Sequence, residues 1–105
     1  MTEKKHFLGI IKPVREGFMT NPTEKENKVM QKHFEYLKGL LAEGKLVLAG
    51  PVLNEKNPFG LYIFQCTTKE EAENLFKNDP SILSGVQKIK EFEPFKLSLY
   101  NPPDK

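Results

Sequence analysis

Tryptophan is absent from the 105-residue chain, cysteine occurs once, and Arg15 is the sole arginine among sixteen basic residues. Each shortage excludes something. Without Trp, the core must be built from Leu, Ile, Val and eight Phe, which an ordinary globular composition allows. A lone Cys66 forms no intramolecular disulfide. It sits in an apolar run, where a thiol behaves as a small hydrophobe, and this suits a reducing cytoplasm. Nucleic-acid and phosphate recognition favours the planar guanidinium fork, so lysines with hardly any arginine read as solubilising charge. Sixteen basic and fourteen acidic residues are interspersed, leaving no field strong enough to attract nucleic acid or an anionic membrane. No segment approaches the ~18 consecutive apolar residues of a membrane span. The opening MTEKKHFLGII runs into Lys12 and Pro13 without a signal-peptide cleavage site. No glycine-rich phosphate loop and no nucleophile elbow is present. Two widely spaced histidines without clustered cysteines or carboxylates do not make a metal site.

What is present reads as one domain spanning residues 1–105, too short for two independent cores. His6 to Ile11 is apolar and β-branched and stops at Pro13, a first strand. Thr23 and Glu26 form a capping box opening a helix over 24–43. Its apolar stripe carries Met30, Phe34, Leu37 and Leu41, flanked by Val29, Tyr36 and Leu40. Gly44 is placed to end it in a left-handed conformation. Lys45 to Ala49 reads as a second strand halted by Gly50-Pro51, and Phe59 to Cys66 as a third. Thr68 to Glu71 is another capping box, opening a short helix with Ala72, Leu75 and Phe76 turned inward, and Asp79-Pro80 breaks it. Residues 86–100 supply a final strand, centred by their alternation on Phe95, Leu97 and Leu99, with Pro94 marking a bulge or an edge. The order βαββαβ predicts an α+β, ferredoxin-like fold: a four-stranded antiparallel sheet with two helices on one face.

The strands are apolar on both faces, whereas a sheet covered on one side only alternates apolar with polar. Phe59, Leu61 and Ile63 lie on one face of the third strand, and Tyr62, Phe64 and Cys66 on the other. A homodimer formed through the uncovered face explains this; the plainer alternative is that the chain's own last strand or a loop covers it.

Three residues stand out for chemistry. His33 falls on the apolar stripe of the first helix beside Met30, Leu37 and Leu40. A packed, hydrogen-bonded core histidine is the commoner reason for such a placement, and a general acid or base in a pocket is the functional one. Asp79 is the natural carboxylate to orient an imidazole, although Asp-Pro is also a standard N-cap and N1 pair for the turn at Ser81 to Ser84. Arg15, in the loop after the first strand, has the fork that binds a carboxylate or phosphate, or is a solvated charge. No cofactor is called for.

The run Met30-Gln31-Lys32-His33-Phe34-Glu35-Tyr36-Leu37, then Gly44-Lys45-Leu46-Val47-Leu48-Ala49-Gly50-Pro51, Phe59-Gly60, Glu70-Glu71-Ala72, Asn78-Asp79-Pro80, Gly85 and Pro94-Phe95 resembles the YciI-like (YCII-related) family over nearly the whole chain. The resemblance implies a dimeric α+β barrel and a His-Asp pair that maps onto His33 and Asp79. It further implies a small-molecule substrate and proton transfer or elimination, of lyase or isomerase type. A non-catalytic metabolite-binding or interaction module is the alternative. An RNA-binding RRM shares the βαββαβ order, but Asn57 and Leu61 stand where its basic and stacking residues belong.

Overall fold

The computed structural model describes residues 4–18 and 20–101. It contains β1 (Lys5–Pro13), α1 (Glu24–Ala42), β2 (Leu46–Val52), β3 (Phe59–Cys66), α2 (Lys69–Lys77), α3 (Pro80–Leu83) and β4 (Gln87–Phe95). The strands form one antiparallel sheet in the order β2-β3-β1-β4. This is the βαββαβ sheet expected from the sequence, with the short α3 added before the last strand. Both capping threonines act as the sequence predicts, Thr23 accepting from Glu26 N and Thr68 from Glu71 N. Gly44 closes α1 at φ 76° in a Schellman motif: Lys45 N donates to Leu40 O and Gly44 N to Leu41 O.

The core lies between the helices and one sheet face. Phe7, Ile11, Tyr62, Phe64 and Cys66 from the central strands meet Leu37 and Leu40 of α1 and Ala72 and Phe76 of α2. Gly9 is required beneath α2, because a Cβ there would lie 2.7 Å from the Phe76 ring. Burial pushes the Cys66 thiol above its usual range, with the Glu71 charge second, so the thiol stays protonated and packs as an apolar group.

Three details depart from expectation. β2 continues through Gly50 and Pro51 to Val52, because at the edge of the sheet a missing N–H breaks no inner hydrogen bond. β4 ends at Phe95, earlier than its alternation suggests, and leaves Leu99 outside the sheet, 93% exposed. Its partner β1 runs out there, with His6 opposite Phe95, and a bulge breaks the period of two earlier in the strand: Ile10 pairs with Glu91 but Ile11 with Ile89, so Lys90 is extra. On α1, Phe34 and Leu41 are exposed while Leu37 and Leu40 are buried, because the sheet covers only part of the apolar stripe.

Candidate active site

The uncovered part of that stripe overlooks a cavity of about 570 Å³ between α1 and the sheet, with His33, Tyr62 and Gln87 in its wall. A second bulge shapes it. Leu46 pairs with Phe64 and Leu48 with Ile63, leaving Val47 extra, and both Leu46 and Ala49 line the cavity although they are three residues apart. Phe18, Met30, Phe34, Leu37 and Phe59 make most of the remaining wall apolar.

His33 and Asp79, far apart in sequence, meet because α3 packs against α1. The side chain of His33 is 12% exposed and that of Asp79 1%. Nδ1 of His33 lies 2.8 Å from each carboxylate oxygen of Asp79. The same carboxylate accepts from the Tyr62 hydroxyl at 3.1 Å, and from the Ser81 hydroxyl at 2.9 Å and Ser81 N at 2.8 Å. With Asp79 as acceptor, Nδ1 carries the proton and Nε2 holds a lone pair. Nε2 has the Tyr62 hydroxyl 3.5 Å away. Burial raises the Tyr62 phenol above its ordinary range, and the Asp79 charge adds to this, so Tyr62 remains a neutral donor.

Both readings of Asp79 open in the sequence are thus present in one side chain. It caps α3, with Pro80 at the first helical position, and it orients the imidazole. Ser81, fully buried, is a further partner; its hydroxyl oxygen is also 3.3 Å from His33 Nδ1.

Arg15 lies elsewhere. Its Nε donates to Glu26 Oε2 at 2.8 Å and its Nη2 to Glu26 Oε1 at 2.7 Å and to Asn21 O at 2.7 Å. It lines a separate polar hollow with Lys12 and Lys56. The guanidinium already holds an anion, the chain's own Glu26, whose carboxyl it keeps down at about 2, with help from Thr23 N. Arg15 ties the loop after β1 to the first turn of α1, and that loop supplies Phe18 to the cavity wall.

Sequence reasoning passed over Tyr62, Ser81 and Gln87. For Tyr62 the signal was available: it is the one inward residue of β3 with a polar tip. Ser81 lies within the single turn of α3 and Gln87 at the start of β4, positions where no periodicity reveals which way a side chain points.

A family model for the YCII-related domain matches residues 7–96. Among solved structures, the chain is similar to 5-chloro-2-hydroxyhydroquinone dehydrochlorinase (TftG) from Burkholderia phenoliruptrix AC1100, in complex with 2,5-dihydroxybenzoquinone. The identity is 23%, covering 87% of this chain and 93% of that chain, with a TM-score of 0.64. An uncharacterised protein from Thermotoga maritima is similar at 18% identity over 90% of this chain and 100% of that chain, with a TM-score of 0.48. No curated protein matches in sequence. The likeness to the dehydrochlorinase supports the ferredoxin-like fold. Since the matched region runs from β1 to the residue after β4, the chain belongs to the YCII-related domain family.

Proposed function

We propose that the chain is a cytoplasmic small-molecule enzyme in which His33 moves a proton in a reaction of isomerase or lyase type. The observation that carries this reading is the pairing of His33 Nδ1 with the buried Asp79 in the wall of a cavity of about 570 Å³. A cavity of that size lies within the range used by small ligands, ~300–1,000 Å³. A structural histidine needs no such space beside it.

In the proposed reaction Nε2 of His33 takes a proton from an acidic O–H or C–H of the substrate, and the Asp79 carboxylate stabilises the imidazolium that forms. Returning the proton at another atom completes an isomerisation. Losing it to solvent as the electron pair expels a leaving group completes an elimination. TftG binds 2,5-dihydroxybenzoquinone, and a hydroxylated ring of that kind is the substrate class we favour. The apolar walls suit its body, and its hydroxyl protons are acidic enough for an imidazole.

The test is solvent proton exchange and turnover over a panel of hydroxylated rings and enols, followed by NMR. A general acid or base contributes ~10²- to 10⁴-fold, so His33→Ala should lose that factor while keeping the native circular dichroism spectrum. Unchanged turnover in His33→Ala would refute the proposal.

We propose further that the protein is a homodimer joined through the uncovered sheet face. On this face Leu8 and Ile10 are half-buried and Leu48 is exposed, around Ile63, which the chain already buries. Leu61, opposite Ile10 and Gly50, continues this apolar surface. Charge returns at its margins, with Lys12 at the end of β1 and with Glu91 and Glu93 on β4 opposite Ile10 and Leu8.

A further inference from the structure

The fork of Arg15 suits an anion, but Glu26 already fills it. The cavity has a cation of its own. Among the described residues, those that line it include no Asp, Glu or Arg and one lysine, Lys38. On α1, Lys38 stands one turn after Phe34 and one turn before Leu41, between the two exposed apolar side chains of the stripe. Its Nζ lies 5.5 Å from the centre of the Phe34 ring, whose face attracts a cation, and Phe34 lines the same cavity. The ammonium therefore sits over the apolar lip where the cavity meets solvent. Among the described residues no carboxylate forms an ion pair with Lys38, whereas Lys28, Lys45 and Lys77 each have one.

We propose that Lys38 is the anion-binding residue of the cavity, and that the ligand is an apolar-bodied molecule bearing a negatively charged oxygen. The inference rests on the cavity being the ligand site and adds the charge of what enters it. Apolar walls favour the body of a ligand but penalise an ion that enters without a counter-charge, and Lys38 is the lining group that supplies one. The Asp79 carboxylate behind His33 repels an anion that comes close to it, so the charged oxygen of the ligand is driven to the far end, toward Lys38. A helix rises ~1.5 Å per residue, which puts Lys38 about 7.5 Å along α1 from His33. That distance leaves room for a six-membered ring between the proton that Nε2 removes and the charged oxygen. A lysine ammonium is a point charge without a fork, so it accommodates a carboxylate or a single ionised hydroxyl.

The experiment is a chemical-shift titration of the full chain with two matched pairs of compounds, benzoate against benzamide and 4-nitrophenolate against 4-nitroanisole. The wild-type protein should bind the charged member of at least one pair about threefold to fivefold more tightly, the upper range for a solvent-exposed ion pair. The pair with the larger preference identifies the charged group as a carboxylate or an ionised hydroxyl. Lys38→Met keeps the stem beside Phe34 without the charge and should bring the ratio near one, while Lys38→Arg should keep it. Because Lys38 is exposed, neither substitution should disturb the fold. Lys32→Met, which removes an exposed lysine of the same helix outside the cavity lining, should leave the preference in place. Added salt should shrink the wild-type preference and leave Lys38→Met unaffected. If Lys38→Met keeps the wild-type preference, or the wild type binds the neutral members as tightly as the charged ones, Lys38 does not select an anion, and the cavity remains the binding site. If no compound shifts any cavity resonance, the reading of the cavity falls and the inference with it.

Discussion

The double duty of Asp79 makes it the most informative residue to change. In Asp79→Ala four donors lose their acceptor: His33 Nδ1, the Tyr62 and Ser81 hydroxyls, and Ser81 N. Loss of the cap alone costs ~0.5–2 kcal/mol, and each buried donor left unpaired costs ~1–3 kcal/mol. These groups share one carboxylate, so the costs do not add fully. We expect a net loss of about 3–5 kcal/mol, the range for removing one partner of a buried pair, out of the ~5–15 kcal/mol typical of a domain. Asp79→Asn should behave differently. Its amide oxygen still caps α3, so stability should fall by only about 1–2 kcal/mol. Its amide N–H, turned toward His33, donates to Nδ1 and drives the proton onto Nε2, which then cannot act as a base. Wrong-tautomer substitutions of this kind cost on the order of 10⁴ in rate. Urea unfolding followed by far-ultraviolet circular dichroism measures the first quantity, and imidazole nitrogen chemical shifts report the tautomer. An Asp79→Ala protein as stable as wild type, or an Asp79→Asn protein whose Nε2 remains unprotonated at neutral pH, would refute this account of the dyad.

Other substitutions separate the remaining elements. Leu61→Lys, on the uncovered face of a central strand, should convert the dimer to a monomer with an intact core; a wild-type protein that runs as a monomer in analytical ultracentrifugation at micromolar concentration would remove the dimer proposal. Glu26 has its folded value lowered to about 2 from an ordinary 4.5, so its contribution to stability is complete above pH 4.5 and disappears as the pH falls to about 2. The melting-temperature gap between wild type and Glu26→Gln should close across that window, and a gap independent of pH would contradict the clamp with Arg15. Ala49→Leu places up to three more carbons in the cavity. At ~0.8 kcal/mol per buried CH₂, partial burial should add about 1 kcal/mol of stability while weakening ring binding, whereas a destabilised protein would mean that the cavity is too small for a ligand.

The fold was legible because its signals are local. The Thr23–Glu26 capping box, the Thr68 cap, the Gly44 stop and the dense apolar run of β3 each act within a few residues and appear where the pattern places them, although Glu71 reaches back to Thr67 rather than to the Thr68 N–H that a second box requires. The ends of β2 and β4 were less legible, because their bulges and edge positions depend on the neighbouring strand: Val47 and Lys90 are extra only in relation to β3 and β1. His33 announced itself as a polar residue on an apolar stripe. Asp79 could be named beside it only as a candidate, since its approach depends on how α3 lies on α1. Arg15 shows the limit most clearly. A guanidinium in a loop near a helix start has the same sequence signature whether it awaits a ligand or is satisfied by Glu26 eleven residues later.

The cavity lies where the usual agreement between apolar pattern and burial fails. Helix α1 carries a stripe wide enough to include Phe34 and Leu41, yet β2 offers Ala49, Gly50 and Pro51 on the facing edge, too little volume to cover it. A sequence selected only for stability would enlarge those three residues or make Phe34 and Leu41 polar. Retaining both the surplus apolar surface and the small residues leaves a gap with His33 on one side and Gln87 on another. The surrounding structure is otherwise well satisfied: the Asp79 carboxylate is hydrogen-bonded at both oxygens, and Arg15 and Glu26 satisfy each other. The unfilled volume therefore lies beside His33, the residue proposed to move the proton.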